Sequence, residues 1–176
     1  YLGGTHLMDV KMMMPFYYAG ELWCFLSNTG HWPDTGGMVP GGFNSTATEI
    51  QQEGLRLPPV KLMCAGELQQ DVVDIILNNI RVPDERIGDI RAQIGALKTG
   101  EKRLTALLAR YGADTVVAAI ADLRDRSEQH MREVISAITD GTYSFTAYID
   151  SDGVIDEPLA IVLDLTIDGS DAHFDF

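Results

Sequence analysis

Apolar and polar residues change rhythm twice along the 176-residue chain. In "YYAGELWCFLSN", residues 17–28, apolar stretches flank Ala19-Gly20, the pattern of a strand returning through a tight turn. The next stretch, "TGHWPDTGGMVPGGFNSTATEI" at 29–50, carries too many glycines and prolines for a helix interior or a central strand. It reads as a long ordered loop, with Trp32, Met38 and Phe43 as its apolar anchors.

Between 67 and 139 the apolar positions recur at helical spacing. Leu68, Val72, Ile75 and Ile76 predict a short amphipathic helix. Ile87, Ile90, Ile94, Leu97, Leu104, Leu107, Leu108 and Tyr111 predict a long one, with Pro83 in its first turn and Gly112 as its C-terminal cap. Gly95 and Gly100 each weaken it by roughly 1 kcal/mol relative to Ala. A third helix is expected from a cap at Asp114 through Val116, Ile120, Leu123, Met131 and Ile138. Two long helices joined by one glycine-containing turn read as an antiparallel pair. Alternation returns in "DGTYSFTAYID" and "LAIVLDLTID", after which Gly169 turns the chain into "DAHFDF".

The expected fold is α+β. A β-hairpin and Gly-rich loop region occupies 1–66, a helical region with the central antiparallel pair 67–139, and the start of a β region of antiparallel strands 140–176. No period of 20 to 50 residues repeats. The chain opens at Tyr1 and closes on the alternating "AHFDF", so the three regions are expected to be parts of one truncated domain of a larger subunit.

Charge narrows the partners. The formal balance of 13 − 26 = −13 disfavours nucleic acid, whose binding draws on Lys and Arg, and an anionic membrane surface. Nothing approaches 18 consecutive apolar residues, and no basic-then-apolar signal pattern opens the chain. Cys24 and Cys64 lie far apart with no CxxC spacing, which suits a reducing, cytoplasmic setting.

The chemistry-bearing residues gather in the charge-poor first third. "GGTHLMD" sets His6 and Asp9 three positions apart, and His31 follows in the long loop. Two histidines and a carboxylate are a recurrent catalytic metal set that leaves open positions, suited to Zn, Mn or Fe. Positions i and i+3 share a face only where the backbone bends, so this reading needs a turn before Asp9, which Gly3-Gly4 could begin. In the rival reading His6 caps a turn, Asp9 is solvated and His31 stacks on Trp32; spacing alone favours it. The glycines at 36–42 lack the GK[ST] ending of a P-loop, and close backbone approach is the better expectation than a phosphate cradle. Asp34, Glu53 and Lys61 are the other titratable residues near this loop, each read singly as a surface or ion-paired group. His130 is read as bordering an apolar helix stripe, and Met12 to Met14 as core. No Gly-x-Ser-x-Gly elbow is present.

Taken in order, "GGTHLMD", "TGHWPDTGG", "PGGF", "QEGLRLPPVKL" and "GDIRAQ" resemble the hydantoinase B/oxoprolinase family over about residues 1–150, and "DGTY" continues in kind. That family comprises the B-type subunits of ATP-dependent hydantoinases, the matching half of 5-oxoprolinase, and subunits of acetone and acetophenone carboxylases. The resemblance implies a divalent metal held by His6, Asp9 and His31, with a further acidic ligand upstream of Tyr1. It implies an A-type partner subunit that uses ATP to phosphorylate a small-molecule substrate, and a B-type subunit that completes the reaction. In the hydrolase branch a cyclic amide opens; in the carboxylase branch a ketone is carboxylated. Asp34 and Glu53 are the proton-transfer candidates. Many members read "GHHAD" where this chain has "GHWPD"; His31 and Asp34 are kept, while Trp32 and Pro33 depart and leave specificity open. The remaining alternative is a catalytically inert fragment.

Overall fold

The computed structural model describes residues 6–176. The chain packs as two compact units that divide between Thr105 and Ala106.

The first unit is built on a hairpin of β1 (Asp9–Tyr18) and β2 (Glu21–His31), paired antiparallel from Asp9↔His31 at the open end to Tyr18↔Glu21 at the turn. Ala19 and Gly20 both take positive φ, 52° and 88°, the combination that matches a two-residue turn to strand twist. Side chains then alternate. Met12 and Phe16 are buried with Val10 and Met14 beside them, while Lys11, Met13 and Tyr17 face out. Met12 and Trp32 join Ile76, Ile80, Ile90 and Leu97 in one core, to which Leu55, Leu57 and Leu62 add their side chains.

Between hairpin and helices lies the expected long loop, ending in a 3₁₀ turn at Ile50–Gln52. Two short strands, β3 (Met63–Cys64) and β4 (Glu67–Leu68), follow around a second positive-φ pair, Ala65-Gly66. Leu68 pairs with Met63, so the first helix, α1 (Gln70–Asn78), starts later than its apolar spacing predicts. The long helix α2 (Pro83–Tyr111) runs unbroken through Gly95 and Gly100. Its buried stripe in the first unit is Arg86, Ile90, Gln93 and Leu97, steps of four, three and four along one helical face.

In the second unit the single residue Gly112, at φ 81°, separates the end of α2 from α3 (Ala113–Ser136). Asp114 lies inside the first turn, where its carboxylate meets the positive end of the helix dipole, and is not the cap. A three-stranded antiparallel sheet completes the unit: β5 (Gly141–Ile149), β6 (Leu159–Asp168) and β7 (Asp171–Asp175). Its register lines up Tyr143, Leu165 and Phe174, then Phe145 with Leu163 and Ala147 with Ile161, all on one face. Ile167 at one end of that face is buried, whereas Phe145 is 71% and Ile161 45% exposed. Arg132 of α3 donates to Asp171 at 2.7 Å and to Ser170 at 3.1 Å, tying the helix to the β6–β7 turn.

The α+β reading holds: hairpin first, long helices in the middle, antiparallel strands last. Among the described residues no single helix is long and apolar enough to cross a membrane.

Candidate metal centre

The strand ladder brings the first two candidates together. Asp9 and His31 are partners in the last pair at the open end of the hairpin, on its outward face with Lys11 and Thr29. Side chains so paired start only ~4.5–5.5 Å apart at Cβ. His6 joins them through a turn. The Asp9 amide donates to the His6 carbonyl at 3.2 Å, which bends the chain over Leu7-Met8. The required bend is therefore present; Gly3 and Gly4, expected to begin it, lie outside the described residues. The buried Met8 carbonyl accepts from the Trp32 amide at 2.8 Å and the Val10 amide at 3.0 Å, fastening the turn to the end of β2.

One ligand atom from each of His6, Asp9 and His31 lies within 4.8 Å of the other two, and no other group of three such ligands occurs among the described residues. His6 Nε2 stands 3.1 Å from Asp9 Oδ1, yet that nitrogen is buried and makes no hydrogen bond. The two atoms are close but not aligned for a hydrogen bond. The imidazoles meet edge to face with centroids 5.1 Å apart. Phe43 closes one side, 5.6 Å from the His6 ring and nearly parallel to His31 at 6.0 Å. Side-chain exposures of 35% for His6 and 25% for Asp9 leave the cluster reachable from solvent. Two imidazoles, one carboxylate and an orphaned buried nitrogen fit a divalent cation of the Zn, Mn or Fe kind. Trp32 is not stacked under His31: its indole is buried in the core and donates to Gln93 Oε1 at 2.9 Å.

The Gly-rich loop is organised by Asp34, buried and held at φ 62°. Its carboxylate accepts from the Gly36 amide at 2.8 Å, the Gly41 amide at 3.1 Å and Arg81 Nη1 at 3.0 Å. Arg81 also donates to the Gly37 carbonyl at 2.5 Å and the Val39 carbonyl at 3.3 Å. Burial alone would raise the Asp34 pKa; the Gly41 and Gly36 amides and Arg81 outweigh it and hold the carboxyl below its ordinary 3.8. Two amides suited to cradling a phosphate are thus occupied by the loop's own carboxylate. Close approach explains the glycines: a Cβ on Gly36 would lie 2.5 Å from the Asn79 carbonyl oxygen, and one on Gly42 2.6 Å from Met8 Sδ.

The other expected residues stay outside the cluster. Glu53 is half-buried at the end of the 3₁₀ turn, its side chain without hydrogen bond or ion pair among the described residues. Lys61 and His130 are exposed, and Cys24 and Cys64 are free thiols.

A family model described as hydantoinase B/oxoprolinase matches residues 1–176. The chain belongs to the hydantoinase B/oxoprolinase family. Among its relatives is the caprolactamase subunit beta of Pseudomonas jessenii, 42% identical over 97% of this chain and 29% of the relative. The crystal structure of the ATP-dependent caprolactamase from that organism superposes with a TM-score of 0.89 at 42% identity, over 97% of this chain and 30% of the solved one. The 5-oxoprolinase of Dictyostelium discoideum is 30% identical over 94% of this chain and 13% of its own length. The acetophenone carboxylase delta subunit of Aromatoleum aromaticum is 31% identical over 86% of this chain and 22% of its own. The chain thus spans at most three tenths of the length of these hydantoinase B/oxoprolinase relatives.

Sequence reasoning missed three residues that shape the site. Arg81 is half of the loop's ion pair. Arg86, wholly buried, donates through Nη2 to the Pro33 carbonyl at 3.0 Å and lies 5.6 Å over the Trp32 ring. Gln93 holds the Trp32 indole. The available signal was the placement of Arg86 and Gln93 at helical steps from Ile90 and Leu97.

Proposed function

We propose that this chain is the metal-holding segment of a B-type hydantoinase/oxoprolinase subunit, in an enzyme that opens a cyclic amide such as a hydantoin or 5-oxoproline. A partner A-type subunit activates the substrate with ATP beforehand. The observation that carries this reading is the convergence of His6, Asp9 and His31 in a chain 42% identical to a caprolactamase subunit beta. A divalent cation held by those three residues would supply Lewis acidity and a lowered pKa for coordinated water.

The chain's own residues do the rest. Phe43 packs on both imidazoles and limits their movement. Asp34, kept ionised and shared among three donors, sets the loop's shape; a group whose pKa lies far below neutrality is a poor proton acceptor. Glu53, uncommitted to any other side chain, is the better proton carrier of the two expected carboxylates. The free thiols suit a cytoplasmic enzyme.

Metal analysis of the full-length protein tests the reading. Stoichiometric divalent metal that disappears in both His6→Ala and His31→Ala is expected. Full occupancy and activity in both variants would remove the assignment. The carboxylase branch has its support in the acetophenone carboxylase relative. Bicarbonate-dependent turnover by the assembled complex would select it, whereas a ring-opened amino acid as sole product selects the hydrolase.

A further inference from the structure

The metal-capable pair occupies the weakest part of the hairpin. Asp9↔His31 is the final rung, at the end opposite the Ala19-Gly20 turn. Two-stranded ribbons are marginal alone, and their open ends fray. A site there needs something that fixes the separation of the strands.

On the hairpin's buried face the amide of Gln93 spans both strands. Its Nε2 donates to the Val10 carbonyl at 3.0 Å and to Asn28 Oδ1 at 3.2 Å, and its Oε1 accepts from Trp32 Nε1 at 2.9 Å. Its main-chain carbonyl accepts from Asn28 Nδ2 at 2.8 Å. Val10 follows Asp9 and Trp32 follows His31, so the side chain grips each strand one residue beyond a candidate ligand. Gly30, cross-strand partner of Val10, makes the room: a Cβ there would lie 2.6 Å from Gln93 Cδ. Arg86, two stripe positions earlier on α2, holds the Pro33 carbonyl and covers the Trp32 ring.

We infer that Gln93 is a positioning residue: reaching through the hairpin from its buried side, it clamps the open end and sets the Asp9–His31 separation on the outer face. The inference deepens the metal reading and rests on it for its consequence, although the clamp itself does not need a metal.

Three variants of the full-length protein separate the possibilities. Gln93→Met keeps the length and removes every side-chain hydrogen bond; Gln93→Glu keeps the acceptor for Trp32 and loses the donor to Val10 and Asn28. Leu97→Ala, in the core one helical turn onward, destabilises the same packing without touching either strand's grip. Amide exchange at Val10 and Trp32 without metal reports the clamp, and titration with Co²⁺ followed by its visible spectrum reports the ligand set. The expected result is faster exchange in both Gln93 variants, with Co²⁺ affinity reduced about tenfold or more and an altered spectrum. Leu97→Ala should lower the melting temperature yet keep wild-type affinity and spectrum. Should Gln93→Met fail to fold, Gln93→Glu carries the test. Wild-type exchange in a folded Gln93 variant, or affinity losses that merely follow melting temperature across all three, would overturn the clamp. If wild-type protein takes up no Co²⁺ while the Gln93 variants still exchange faster, the clamp stands and the metal reading fails.

Discussion

Asp9 and His31 face each other across the final rung of the β1–β2 ladder, on the side of the hairpin turned away from the core. Strand alternation places them there, and the hydrogen bond from the Asp9 amide to the His6 carbonyl brings the third candidate over them. His31 is exposed and contributes nothing to the apolar core. His31→Ala is therefore expected to leave the melting temperature of metal-free protein unchanged while weakening divalent metal binding by about 100-fold or more, beyond what outer-shell partners give. Thr29→Ala, the next outward position on β2, is the control and should bind normally in the same calorimetric titration.

The hairpin-turn and loop glycines differ in what surrounds them. Gly20 has open space where a Cβ would stand, whereas at Gly36 the Asn79 carbonyl oxygen lies 2.5 Å from that position; both have φ near 90°. Gly20→Ala should cost about 1 kcal/mol, from the strained backbone alone. Gly36→Ala should add a steric penalty of about 1–3 kcal/mol to the same strain. Denaturant midpoints at constant slope check the order, and equal effects would contradict the packing.

How much of this could be read from residue order follows from what each signal depends on. The hairpin was legible because Ala19-Gly20 and the flanking alternation are local. The bend at His6–Asp9 and the proximity of His31 were only conditionally legible: spacing permitted two arrangements, and pairing register chose between them. Arg86 and Gln93 were invisible to a hydrophobic stripe because polar residues are normally assigned to the solvated face. Burial becomes tolerable for Gln93 only because Val10, Asn28 and Trp32 supply partners, a non-local fact. The start of α1 was misplaced for a similar reason, since Leu68 is claimed by Met63.

Acid sensitivity should have a contribution from Asp34. Its carboxyl is held below 3.8 in the folded chain, so folding favours the ionised form. That stabilisation is complete above pH 3.8, declines as the pH falls through the lowered value, and is absent once the group is protonated in both states. Asp34→Asn is expected to lower stability by about 1–2 kcal/mol at neutral pH and to flatten the decline below pH 4. Chemical denaturation at a series of pH values measures both; an unchanged acid limb would show that the carboxylate carries no such linkage.

Arg81 and Asp34 should be coupled in a double-mutant cycle. Two contacts at 3.0 and 3.2 Å join one guanidinium nitrogen to both carboxylate oxygens. The Arg81 side chain is 39% exposed, so solvent screening places the coupling near the low end for contacting residues, about 1 kcal/mol. Arg81→Met and Asp34→Asn, singly and together, give the value from urea midpoints. Because Arg81 also holds the carbonyls of Gly37 and Val39, Arg81→Met alone should destabilise by more than the coupling. Strict additivity would mean that the pair does not organise the loop.

The second unit makes a prediction from one face of its sheet. Register collects Tyr143, Phe145, Ile161, Leu163, Leu165 and Phe174 on the same side, whereas Thr142, Ser144, Asp164 and His173 occupy the other. An apolar surface of that extent, with Phe145 and Phe174 more than half exposed, exceeds the scattered apolar residues that monomeric proteins normally present to water. The 176-residue chain should therefore bind an apolar dye such as ANS and self-associate as its concentration rises. Ile161→Lys, at the middle of the face, should reduce both. Val162→Lys, one residue along and on the opposite face, should change neither, because a single step along a strand reverses the side chain's direction. Dye fluorescence and light scattering on the two variants side by side decide the matter. Equal behaviour would mean that the two faces of the sheet do not differ as the pairing register requires.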